Sequence, residues 1–513
     1  MKRIVRLCLA GCWLLATGGF PTVGHAVSPG DATEPNLSGA APCYTNVFDP
    51  SHPLITIRPE TNECIFYLGQ AASIKSAAPI EVYRLTYGGH TVLVAKGGKT
   101  LAIAAALGHY FVQSGSDRKE FVVLPANYHT LARIGQSSFD SFVIPVARRC
   151  KLGWVMVALY GGTIQPTNGA AYDWTARQPG AGPSETNLFQ WVGKANILLR
   201  PYPAGWASNL AFDVWLESFS NFVAAAGARY SNVVSAVQPL TEPFWNGTIN
   251  AAFERPHDYA TKAVAVYRAV HTGWPHTPLI GPSDDSPGAS DRVARVMANG
   301  GGAFLSQCDY HDYQDGYGGR TGAPDDAVFG VVARARGNEV AFGSPKLFLT
   351  EVGMLGGSAI GHPEVQTDNT TITSVPHYGW YRGMARAEKT AVLYAQFNAT
   401  LIQEVLLSRW NAEISGLDPN GGIKPKTAAF LMTSHWLNGA RPVTNWVSGN
   451  LHFAESIWAS GRANTFVWAS EGTTATTNLG VGMTDIWSNS WNGAIGEEPV
   501  IAWDWPRHDR SPR

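Results

Sequence analysis

The stretch "AVQPLTEPFWNGT", residues 236–248, decides how this chain is read. An apolar run (Val233, Val234, Ala236, Val237, Pro239, Leu240) has the composition of a buried strand, then stops at a carboxylate, Glu242, followed by a proline and two aromatics. A charge at the end of a buried strand does not build a core. The pattern returns in "PKLFLTEVGML", residues 345–355, where another apolar strand ends in Thr, Glu351 and a glycine-containing loop.

Around these two stretches, from about Asn127 to Arg441, apolar strand patterns alternate with longer helical ones. The strand candidates are "GWVMVALY", "ANILLRPYP", "VVSAVQPLT", "PLIGPS", "LSQCDYHDY", "PKLFLTEVG" and "EVLLSRW" (404–410). Helical candidates between them include "DVWLESFSNFVAAAGARY", "HDYATKAVAVYRAVHTG" and "EKTAVLYAQFNATLIQ" (388–403). Alternation of this kind is the signature of βα units, and no Gly-rich phosphate loop follows the first strand. Residues 127–441 are therefore expected to form a (β/α)8 TIM barrel rather than an open dinucleotide-binding sheet. The carboxyl ends of barrel strands form one active face, so both glutamates are expected at a single pocket. Glycosidic bond cleavage needs such a pair, one acid to protonate the leaving oxygen and one group to attack or to activate water. A separation of about 5–5.5 Å goes with retention and one of about 6.5–9.5 Å with inversion.

Outside the barrel the texture is β. Short alternating segments across residues 51–126, from "LITIR" to "EFVVLP", suggest an immunoglobulin-like β-sandwich, and "LHFAESIWAS", "ANTFVWAS", "GVGMTDIW" and "PVIAWDW" suggest a small β-domain over 442–513. Residues 27–50 are small, polar and rich in turn formers, and read as a linker. Residues 1–26 have a basic start (Lys2, Arg3, Arg6), an apolar stretch and small residues at "VGHA", the three parts of a cleavable export signal. A secreted or periplasmic protein is expected, with lipid anchoring at Cys12 the less favoured alternative. The apolar stretch is too short for a comfortable membrane span. Cys43 and Cys64 could close a local disulfide, while Cys150 and Cys308 could be buried thiols or a bridge.

With 38 basic and 39 acidic residues in 513, there is no charge excess to recruit nucleic acid. The 18 tryptophans say more, because solvent-facing indoles make platforms for sugar rings. No zinc spacing, H-E-x-x-H or G-x-S-x-G motif is present, so neither a metal nor a cofactor is expected. The adjacent acids of "PSDDSPG" (282–288) suit a solvated Pro/Gly turn better than a metal loop.

"TEP" at 241–243, followed about a hundred residues later by "LTEVG" at 349–353, resembles the acid/base and nucleophile motifs of clan A glycoside hydrolases. "GWVMVALYGGTIQPTNGAAYDW" (153–174) resembles the first barrel strand and following loop of family 39 and its relatives. "DYHDY" (309–313) resembles the end of their sixth strand, and "KPKTAAFLMTSHWLNGARP" (424–442) their last helix. The resemblance implies a retaining hydrolase acting on a poly- or oligosaccharide, with Glu242 as general acid/base and Glu351 as nucleophile. It places His311 and Tyr313 beside the nucleophile, Arg200 against a carboxylate, and Trp410 under the sugar, with Trp245 and Trp206 as weaker platforms. One residue departs from the clan pattern: Thr241 stands where the clan has an Asn that binds the sugar 2-hydroxyl. That departure keeps two rivals in view, a non-catalytic carbohydrate-binding or cell-surface protein on a degenerate barrel, and an unrelated barrel enzyme that abstracts protons.

Overall fold

The apolar runs that precede Glu242 and Glu351 belong to one parallel sheet. Its strands are β1 (Ile134–Ser137), β2 (Trp154–Tyr160), β3 (Asn196–Tyr202), β4 (Ala236–Val237), β5 (Ile280–Asp284), β6 (Gln307–Tyr313), β7 (Lys346–Gly353) and β8 (Thr400–Gln403). They stand in the order β4-β3-β2-β1-β8-β7-β6-β5, every pairing parallel. The strands at the two ends of that order also meet: Val237 forms a parallel bridge with Leu279, and its N–H donates to the Pro278 carbonyl at 2.9 Å. The computed structural model describes residues 56–58, 64–115, 117–130, 133–137, 144–178, 182–207, 210–241, 259–284, 292–313, 346–353, 378–396, 400–403, 422–470, 473–477, 479 and 481–505. The expected export signal, the linker, Cys12 and Cys43 lie outside the described residues.

Parallel neighbours need crossovers, and helices supply them. Among the described residues these are, in chain order, α1 (Ile144–Arg149), α2 (Ser184–Phe189), α3 (Phe212–Tyr230), α4 (Tyr259–Gly273), α5 (Arg292–Ala298) and α6 (Tyr378–Gln396), and a further helix, α7 (Pro425–Leu437), follows the last parallel strand. Helix α3 shows why they cover the sheet. Trp215, Phe219, Phe222, Val223, Ala226 and Tyr230 recur at helical spacing and are buried together. It packs on α4 at a close crossing, where a Cβ on Gly227 would collide with the carbonyl of Gly273.

Two details differ from the sequence reading. "GWVMVALY" is the second strand of the sheet, not the first; β1 is the short "IGQS", whose Gly135 backs directly onto Trp154. The helical pattern drawn over 388–403 breaks at Gln396, and its last residues, "TLIQ", are instead β8, pairing with β7 and β1. The strand expected at 404–410 lies outside the described residues.

Before the parallel sheet come two smaller ones. A five-stranded sheet (Ile65–Tyr67, Asp117–Leu124, Gly108–Ser114, Ile80–Thr86, His90–Gly97) and a three-stranded one (Thr56–Arg58, Ala71–Lys75, Thr100–Ala104) bury Phe66, Ile74, Val82, Val112 and Phe121 in a shared core. After α7 comes an antiparallel six-stranded sheet, in the order Ala440–Ser448, Leu451–Trp458, Ala463–Ala469, Val500–Trp503, Met483–Thr484, Ser490–Trp491. Helix α7 is buried on nearly every side, as its small and apolar sequence requires. Tyr128 donates to its Leu431 carbonyl at 3.4 Å, and its Trp436 donates to the Ile486 carbonyl at 2.7 Å.

The amino-terminal and carboxyl-terminal sheets also touch directly. The Tyr87 ring lies 3.9 Å from that of Trp491; its hydroxyl donates to the Glu498 carbonyl at 2.9 Å and accepts from the Gly496 N–H at 2.8 Å. Next to it Gly88, in the left-handed region at φ 78°, donates its N–H to the Glu498 carboxylate at 2.8 Å. Glu388 of α6 is fully buried close by, with Glu498 and Asp485 as its acidic neighbours. Cys150 is a free, buried thiol whose pKa burial pushes up, which resolves the alternative left open for it. Among the described residues, no helix is long and apolar enough to cross a membrane.

Candidate functional site

Four buried polar side chains form a chain through the parallel sheet. Arg200, on β3, donates its Nε–H to Oε1 of Gln238, just past β4, at 2.7 Å. Gln238 donates from Nε2 to Oδ2 of Asp309, on β6, at 2.6 Å, and the same oxygen lies 3.5 Å from Nε2 of His311. All four are at most 2% exposed. A guanidinium can only donate, so Gln238 must turn its oxygen to Arg200 and its NH2 to Asp309. Chemistry fixes the orientation of that amide. Buried polar groups are costly unless satisfied, and a connected set of this kind holds its members in single rotamers.

The set leads toward β7. His311 is the register partner of Glu351 across the parallel pairing of β6 and β7, and Glu351 is the sixth of the eight residues of β7, close to its carboxyl end. Thr241 follows β4. It is 8% exposed, and its hydroxyl has no hydrogen-bond partner among the described residues. A buried hydroxyl left unpaired is uncommon enough to need a reason.

Of the residues named from sequence, the structure brings Arg200 and His311 into one network and places Thr241 after β4. Glu351 and Tyr313 are placed by backbone alone, on β7 and β6. Glu242, Trp245 and Trp410 lie outside the described residues. Arg200 was expected against a carboxylate; its Nε bonds a carboxamide, and the carboxylate of Asp309 comes one bond later. Trp206 sits on a short turn and donates to the Gln165 carbonyl at 2.8 Å. The "YDW" loop is held by packing: Trp174 stacks on Phe222 at 6.0 Å and meets Tyr230 edge-on at 5.4 Å, while Asp173 accepts from the Thr175 N–H and hydroxyl.

Gln238 and Asp309 were not singled out in the sequence. The signals were present, a carboxamide interrupting an apolar strand and an acid two places from a histidine, but neither says that the two residues meet. Among the described residues, no group of three or more His, Cys, Asp or Glu side chains could hold a metal ion.

No family model and no curated protein matches the chain. Solved structures do. A family 39 glycoside hydrolase from the gut symbiont Bacteroides cellulosilyticus WH2 superposes with a TM-score of 0.61 at 14% identity, over 87% of this chain and 99% of that one. The catalytic domain of a family 30 xylanase C from Talaromyces cellulolyticus (TM-score 0.45, 14% identity, 73% and 97% covered) and a family 39 β-xylosidase from Caulobacter crescentus (0.44, 15%, 70% and 81%) also match. At such identities the likeness is one of fold, and it is to the fold of a family 39 glycoside hydrolase.

Proposed function

We propose that this protein is an exported retaining glycoside hydrolase built on a (β/α)8 barrel. The meeting of β4 and β5 through Val237 and Leu279 supports closure of the parallel sheet into that barrel. Glu351 attacks the anomeric carbon of a poly- or oligosaccharide while Glu242 protonates the departing oxygen; Glu242 then takes a proton from water as the glycosyl–enzyme bond is broken. His311 and Tyr313 flank the nucleophile, Arg200 acts through the buried network, and Trp410 and Trp245 face the sugar. The observation that carries this reading is the register of His311 with Glu351 near the carboxyl ends of β6 and β7, where barrel enzymes keep their chemistry.

The test is sugar release from a broad panel of oligo- and polysaccharides by the wild type and by Glu351→Gln, with the anomeric configuration of the product followed by NMR. Release with retention by the wild type alone is expected. Equal release by both proteins would remove Glu351 from its role, and inverted product would remove the double displacement.

Thr241, standing where clan A glycoside hydrolases carry an Asn, favours a second reading, a protein that binds saccharide without cleaving it. Calorimetry showing saccharide binding by a wild type that releases nothing would select it.

A further inference from the structure

Seven of the 18 tryptophans lie in residues 440–505, outside the parallel sheet, and two of them, Trp458 and Trp505, line one cleft. On the six-stranded sheet an open cleft of about 590 Å³ is lined by Arg441, Ile457, Trp458, Gly461, Asp504 and Trp505. Three pieces of chain build it: the strand Ala440–Ser448, the end of Leu451–Trp458 with the turn that follows, and the "WDW" at 503–505.

Its walls are fixed by contacts within the sheet. The Trp458 indole N–H donates to the Asn438 carbonyl at 3.0 Å, and its ring stacks on Trp503 at 5.8 Å and 14°. Trp503 is held in turn by its N–H to the Thr484 hydroxyl at 2.9 Å. Trp505 packs against Phe453 at 5.3 Å and Trp446 at 6.1 Å. Since the Trp458 N–H is already bonded, what that side chain offers the cleft is ring surface. Between the two tryptophans, Asp504 has φ 49°, a left-handed conformation that few non-glycine residues adopt. Its N–H bonds the Ala463 carbonyl at 3.1 Å and its Oδ1 accepts the Ala463 N–H at 3.2 Å. That left-handed turn ends the last strand and delivers Trp505 to the cleft.

The polar groups complete the picture. The Arg441 guanidinium is exposed and has no hydrogen-bond or ion-pair partner among the described residues. The Asp504 carboxylate shares the cleft, with Oδ2 at 3.5 Å from the Arg462 guanidinium. Rigid indole surface beside a fork of donors and a carboxylate acceptor suits a pyranose, whose C–H face lies on an aromatic ring while its hydroxyls accept from guanidinium and donate to carboxylate.

We propose that this cleft is a second saccharide-binding site, which holds a length of polysaccharide independently of Glu242 and Glu351. None of its lining residues belongs to the parallel sheet, so the site does not depend on turnover.

The probe is native gel electrophoresis of the Glu351→Gln protein through gels containing xylan, mixed-linkage β-glucan, galactomannan or polygalacturonate. The same gels carry Glu351→Gln combined with Trp505→Ala or with Arg441→Ala. At least one polymer is expected to retard the parent, and each added substitution to weaken that retention about tenfold, the scale for removing an anchor from a binding site. In the otherwise wild-type protein, Trp505→Ala should lower release from the polymer while leaving release from a trisaccharide unchanged. Retention equal in all three proteins would assign binding to the catalytic cleft alone, and retention of none would remove the site. A chain ending at Trp505 that binds where the full chain does not would make residues 506–513 the occupant and overturn the proposal. Arg441 is exposed, so its variant stays informative if truncating Trp505 lowers the thermal midpoint. Retention without turnover in the wild type would sink the hydrolase reading and leave this site standing.

Discussion

Gln238 and Asp309 are joined at 2.6 Å although β5 lies between their strands in the chain. The bond reaches across the interior of the parallel sheet and links the segment leading to Glu242 with the strand that carries His311. Its polarity is set from the other end by Arg200, which can only donate. Asp309→Asn keeps the size and removes the charge that orders the set. A charge-assisted bond of this kind contributes about 1.5–3 kcal/mol, so urea unfolding should show a loss in that range. Under the hydrolase reading, kcat should fall by up to about a hundredfold with KM little changed, the scale for a slightly misplaced reacting group. A matching fall in stability with unaltered kcat would make the network structural only.

The junction of the two outer sheets should titrate. Burial raises Glu388 well above the ordinary carboxylate range, and Glu498 and Asp485 push it further, with Lys389 opposing them. Neither Glu388 carboxylate oxygen has a hydrogen-bond partner among the described residues. Burial also lifts Glu498 to about 8, against the pull of the Gly88 N–H, and lifts Asp485. The folded protein therefore keeps protons that the unfolded chain releases above its ordinary carboxylate value of 4.5. Stability from Glu498 is fully present below that value and is lost as pH climbs toward 8, at up to about 1.4 kcal/mol per pH unit for each proton. Thermal midpoints should decline between pH 5 and 8, and Glu388→Gln should flatten the decline. Identical slopes in the two proteins would place the titration elsewhere.

The crossing of α3 and α4 gives a packing test. A methyl at Gly227 meets the Gly273 carbonyl, which belongs to backbone and cannot rotate away. Gly227→Ala should lower stability by about 1–3 kcal/mol through overpacking, despite the better helix propensity of alanine. Denaturant unfolding with an unchanged or raised midpoint would mean that the helices separate without cost.

Much of this architecture was legible because long apolar strands and amphipathic helices carry their own period. "WVMVALY" and "NILLRPY" are buried on both faces, and the repeated approach of Val, Ile and Leu to a terminal polar residue marks the functional end of the sheet. "IGQS" could not announce itself as β1, being four residues long with a glycine chosen for its fit against Trp154. "TLIQ" was absorbed into the preceding helical pattern because a strand of four residues has too few alternations to contradict a helix. The Arg200–Gln238–Asp309–His311 set depends on the order of β3, β4, β5 and β6 around the sheet. No single segment contains that information.

Thr241 offers the sharpest separation of stability from function. Its hydroxyl is buried and has no partner among the described residues, so Thr241→Val, which keeps the shape and removes the oxygen, should not weaken the fold and should raise its stability by up to about 1–3 kcal/mol, the cost of burying such a group unpaired. If that oxygen meets a sugar hydroxyl in the transition state, the same substitution should lower kcat/KM on the best substrate about ten- to hundredfold, the equivalent of about 1.4–2.8 kcal/mol. Thr241→Asn supplies the longer donor at the same place and should recover activity lost in the valine variant. A valine variant as active as the wild type would show that the hydroxyl never touches substrate, and the unpaired oxygen beside Glu242 would then need another occupant.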